Sequence, residues 1–175
     1  MKKEHKIAII IILLAILLLV GVGVFLKPKQ TEVKVVKPFI GEKIEEMKSP
    51  HIKPGESHEP YNSNPPTSGP HIGDGVAGPG IKDVPVADEL VVHSLEHGAA
   101  VVWYKEGLEK NEVDKIKRAF NNSSGKKIML PRKGLDVPVV LTSWNYRLKL
   151  QTVDETKIKE FIETNNSRAP EVAPI

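Results

Sequence analysis

Between residues 49 and 85 the chain carries eight of its fourteen prolines and six of its thirteen glycines, and its apolar residues follow neither a helical nor a strand period. Ordinary connections run to about 4–6 residues, and structureless ones much longer than about a dozen are usually functional or disordered. Disorder goes with high net charge and few aromatic anchors. This stretch has little net charge, contains Tyr61 and is rich in turn formers, so it is expected to be an ordered loop laid over a domain.

Five of the six histidines, at positions 51, 58, 71, 93 and 97, fall in or just after that loop. Histidine binds borderline metals and titrates near neutral pH, so clustering it along a constrained segment points to a metal or proton-handling site. The sharpest local pattern is His93-Ser-Leu-Glu96-His97. Residues four apart share a face on a helix and also on a strand, so both imidazoles can address one ion under either assignment. The same letters form the inverted zinc-peptidase motif, although the glycine after His97, the strand-like flanks and the small size of the chain argue against that fold.

The second pattern is Tyr61-Asn-Ser-Asn-Pro-Pro-Thr-Ser-Gly-Pro-His71. Short polar side chains there bond nearby backbone, and proline removes freedom before folding. Such a loop can hold His58 and His71 near His93 and His97, which gives four expected metal ligands. Tyr61, Asn62, Asn64, Ser68 and Glu96 are expected to line the pocket, with Glu96 a ligand, an acceptor orienting an imidazole, or a general base. His51 lies outside the tighter pattern and is left out of the expected set. Neutral imidazoles suit zinc or copper(II), whereas few methionines and no cysteine argue against copper(I). The alternatives are a metal-dependent hydrolase with Glu96 as base and a metal-free envelope interaction module with structural histidines.

Residues 7–26 form an unbroken apolar run long enough to cross a bilayer as a helix, with no signal-peptidase-like site after it. The expectation is an uncleaved signal-anchor, a cytoplasmic tail over 1–6, a stalk over 27–48 and an extracytoplasmic domain over 49–171, with 172–175 as a tail. Lysines flank the run on both sides, so their count alone does not set the orientation. The formal charge of +3 belongs to the membrane ends. From residue 31 onward there are 20 Lys and Arg against 21 Asp and Glu, which argues against a nucleic-acid partner and leaves a protein partner open. With no cysteine, the chain has no disulfide or thiolate chemistry.

Past the loop, residues 90–92 and 99–104 read as strands, as do 127–130 (closed by Pro131), 137–142 and 146–151. One helix follows Asn111 as its cap, with Val113, Ile116 and Phe120 inward. A second follows a Thr152-x-x-Glu155 capping box, with Ile158, Phe161 and Ile162 inward. That order predicts an α+β domain with a mostly antiparallel sheet and two helices on one face. Trp103 and Trp144 read as core.

The motif from His58 through Tyr61 to His71, followed by Val92-His-Ser-Leu-Glu-His-Gly98 and a strand ending Trp103-Tyr104, resembles a prokaryotic domain-of-unknown-function family. The likeness covers residues 50–171, including Ser143-Trp144 and Ala169-Pro170-Glu171. It implies one N-terminal span and an exported, histidine-bearing domain, and carries no established activity. Ile72 stands where members carry tryptophan, so no aromatic wall is carried over at that position.

Overall fold

The computed structural model describes residues 5, 11–17, 37–171 and 173–175. The chain divides into two units, 1–36 and 37–175. In the first, residues 11–17 are helical with their apolar side chains exposed; the rest of the expected span over 7–26, and residues 27–36 of the expected stalk, lie outside the described residues. Among the described residues no helix is long and apolar enough to cross a membrane.

The second unit is α+β. Its strands are β1 (Glu42–Lys43), β2 (His51–Ile52), β3 (His71–Ile72), β4 (Gly80–Ile81), β5 (Ala100–Lys105), β6 (Lys127–Arg132), β7 (Val139–Ser143) and β8 (Tyr146–Leu150). Its helices are α1 (Asp88–Glu96), α2 (Lys110–Asn121) and α3 (Glu155–Asn165). Six strands form one sheet in the order β1-β8-β7-β5-β6-β4, and β2 pairs with β3 separately. The β1-β8, β8-β7 and β7-β5 pairings are antiparallel, while β6 runs parallel to both β5 and β4.

Strand β5 is the centre, and its alternation sorts the core. Val101 and Trp103 face one side with Ile128, Leu130 and Val140, covered by Val91, Val92 and Leu95 of α1. Ala100 and Val102 face the other with Met129, Val139 and Leu141, covered by Ile116 and Phe120 of α2 and Ile158, Phe161 and Ile162 of α3. Two helices therefore share one face as expected, and a third covers the opposite one.

Residues 90–92 are the main correction: they belong to helix α1 and not to a strand. Their β-branched content suggests strand, but Asp88 and Glu89 occupy the first turn, where acidic groups favour the helix N-terminus, and tertiary burial decides the rest. Pro131 continues β6 where it was expected to close it. Strand β4 reaches only as far as Met129, so one flank of β6 is free at Pro131 and a missing N–H is tolerated there. The cap of α3 is Asp154, whose carboxylate accepts from the Lys157 N–H at 3.0 Å, in place of a box on Thr152. Helix α2 already begins at Lys110, with Glu109 at its N-cap and Asn111 inside its first turn.

Residues 37–48, expected as the end of a stalk, are packed onto this unit. Phe39 stacks on Tyr146 at 4.1 Å, β1 extends the sheet edge, and buried Asn165 accepts from the Ile40 N–H and donates to the Ile40 carbonyl, each at 2.9 Å. Asn165→Ala should therefore cost about 2 kcal/mol in urea unfolding and expose residues 39–48 to protease before the rest of the domain.

Candidate metal centre

Three elements bring four donors together. Helix α1 carries His93 and Glu96, three apart and therefore on one face. Strand β3 carries His71, and the parallel register sets His51 of β2 directly opposite it. The imidazole nitrogens of His51, His71 and His93 and a carboxylate oxygen of Glu96 lie within 4.8 Å of one another. His71 is 0% exposed, His93 6% and Glu96 8%, whereas the His51 side chain is 56% exposed.

The hydrogen bonds behind the rings fix which nitrogen faces inward. Nδ1–H of His71 donates to the Gly69 carbonyl at 2.9 Å, and Nδ1–H of His93 donates to the Gly75 carbonyl at 2.7 Å. A carbonyl can only accept, so in the neutral rings each Nε2 keeps its lone pair. Metal-binding histidines are commonly oriented in this way. Burial holds His71 below the usual histidine range, against the opposite pull of the Gly69 carbonyl and the Glu96 carboxylate, which favours its neutral form.

Inside the cluster two acceptors are left without hydrogen-bond partners, Nε2 of His71 and Oε2 of Glu96, although they stand 2.9 Å apart. A buried carboxylate with no compensating charge costs several kcal/mol. The His51 Nε2 to Glu96 Oε2 distance is 3.8 Å. Donors about 2.0–2.1 Å from a tetrahedral zinc ion are roughly 3.3 Å from one another, which lies between these two separations. The donor set, the orphaned pair and the spacing all fit a cation.

Residues 51–174 match the family model described as "Protein of unknown function (DUF3105)". The chain belongs to that family. No curated protein and no solved structure matches it. The matched span opens on His51 and takes in all four donors.

The DUF3105 domain places the other expected residues elsewhere. His97 caps α1 and its ring lies 4.4 Å from that of His93, but its Nδ1–H donates to the Pro174 carbonyl and its Nε2 is 3.2 Å from Glu171. His58 donates through Nδ1–H to the Glu59 carbonyl, and its Nε2 faces Glu89 at 3.3 Å. Tyr61 donates to the Pro70 carbonyl at 2.7 Å; burial and the carboxylates of Glu89 and Asp88 push its phenol up, so it stays a donor. Asn62 donates to the Glu45 carbonyl, Asn64 accepts from Arg132, and the Ser68 hydroxyl accepts from the Met47 N–H. These polar groups build the loop and not the cluster. His51 is the residue that local spacing passes over, because only the β2-β3 pairing brings it to His71.

The loop is buried over residues 65–71, with a cis bond between Asn64 and Pro65. Gly69 is its tightest point. Its φ is +121°, and a β carbon there would stand 2.9 Å from the Tyr61 ring. Gly69→Ala should therefore destabilise the domain by about 2–4 kcal/mol, read by denaturant unfolding, through backbone strain and overpacking together.

Proposed function

We propose that this DUF3105 protein binds one transition-metal ion, zinc or copper(II), through His51, His71, His93 and Glu96, in storage, delivery or stabilisation of the domain. The observation that carries the reading is the pair of buried, unpartnered acceptors, His71 Nε2 and Glu96 Oε2, converging with two further imidazoles. Three neutral imidazoles and one carboxylate leave the site with a single negative charge, which suits a divalent ion. Glu96 acts here as a ligand. Its inward oxygen belongs to the donor cluster itself, which speaks against the hydrolase reading in which it would serve as a separate base to a metal-bound water.

The apolar run over 7–26 supports placing this site on a membrane-anchored chain, and the six-residue tail ahead of a single span, as at the start of an exported protein, supports residues 1–6 in the cytoplasm and the domain outside. Protease added to intact cells should digest the domain, and the chain should stay with the membrane fraction at high pH. A chain that leaves the membrane in alkali would count against the anchor.

Elemental analysis of the full-length protein, as isolated and after reloading with each ion, tests the site. His71→Ala and His93→Ala should empty it, whereas His58→Ala and His97→Ala should leave near-stoichiometric metal. Chelation should lower the melting temperature, since an ion present at about a thousandfold over its dissociation constant contributes about 4 kcal/mol. No metal in the wild type after reloading would instead favour the metal-free interaction module.

A further inference from the structure

Three of the four donors are fixed from behind. Carbonyls hold the rings of His71 and His93, and Glu96 stands on α1 with its backbone carbonyl accepting from the Glu171 N–H. His51 has no such bond to its ring among the described residues. It lies on a strand of two residues, paired on one side by β3, and is the one donor facing solvent. What lies against its ring is Gly73. A β carbon at position 73 would stand 2.9 Å from Cγ of His51 and 3.0 Å from its Cβ and Nδ1. Gly73 is outside the left-handed region, so no backbone strain demands glycine there; the three nearest contacts of a β carbon are all with the His51 side chain.

We propose that Gly73 is a positioning residue of the metal site: its bare Cα seats the imidazole of His51 so that the one solvent-facing donor closes over His71, His93 and Glu96. This rests on the metal-binding reading above and adds how the ion is retained. The three buried donors leave the His51 side as the approach for a chelator or an accepting partner. A side chain at position 73 turns His51 outward, leaves two imidazoles and a carboxylate, and opens that side. Alanine keeps the N–H of position 73, which donates to the Ile52 carbonyl at 3.4 Å.

The test compares full-length wild type with Gly73→Ala, His51→Ala and the double variant. Zinc and copper(II) affinity and release are read by competition with a chromophoric chelator, the ligand set by the visible spectrum of the cobalt(II) form, and stability by melting of the metal-free protein. Gly73→Ala should weaken binding ~10–100-fold, the range seen when a group that orients a ligand is removed. It should release the ion correspondingly faster and give the cobalt spectrum of His51→Ala. The double variant should bind no more weakly than His51→Ala alone. Any loss of metal-free stability in Gly73→Ala should be reduced by His51→Ala, because the contacts with Cγ and Nδ1 are then gone and only the one with Cβ is left. Wild-type affinity in Gly73→Ala, a double variant weaker than His51→Ala, or a stability loss that His51→Ala does not reduce at all would each overturn the role of Gly73 while leaving the metal reading intact. A wild type that takes up no ion overturns both.

Discussion

Strand β5 is buried on both faces, and the two surfaces it presents have to be covered by different parts of the chain. Helices α2 and α3 supply one cover with ordinary apolar stripes. The other is assembled from α1, the proline-rich loop and the C-terminal segment, with Tyr61, Ala77, Val86, Ala169 and Ile175 packed around the α1 contact. A loop that serves as part of a core cover cannot hang in solvent. Most of its polar groups are satisfied internally: Ser68, Asn62, Asn64 and the Tyr61 hydroxyl have backbone or side-chain partners, with the buried Thr67 Oγ1 the exception.

That cover also creates the site. Helix α1 presents Val91, Val92 and Leu95 to the sheet, and its next face, with His93 and Glu96, meets β3. A buried carboxylate and two buried imidazoles placed together there would be costly in a purely structural role, since two inward acceptors stay unpaired while every carbonyl behind them is used. The outward nitrogens of His71 and His93 are satisfied, and Nε2 of His71 and Oε2 of Glu96 at the centre are not. This asymmetry is what a bound cation resolves, and it separates the cluster from His58 and His97, whose rings each bridge a carbonyl and a carboxylate.

Much of the domain was legible. Helices α2 and α3 carry apolar residues at helical spacing with their other faces polar, so periodicity located both to within a few residues. Strands β5, β7 and β8 followed from β-branched runs and alternation. Helix α1 was misread for a physical reason: residues 91–96 are all buried, polar ones included, because the polar ones form the cluster. The contrast between apolar and polar faces that betrays a helix is erased where the polar face is also inside. Residues 39–48 were misread as spacer because what holds them is distant, Asn165 and Tyr146 lying more than a hundred positions further along the chain.

The sequence by itself determined that the domain is α+β and that a proline-rich loop and the segment after it gather histidines, grouping His71 and His93 with Glu96 but equally with His58 and His97, because residue type, proline placement and spacing are local properties. Only the tertiary structure decided which histidines face the same point. Turning a ring inward or outward depends on the carbonyl behind it, and bringing His51 opposite His71 depends on a parallel pairing across the whole loop. The carbonyl behind His71 is local, at Gly69, but the one behind His93 belongs to Gly75 and His51 meets His71 only through strand pairing, so no pattern of spacing could distinguish His51 from His58 or His97.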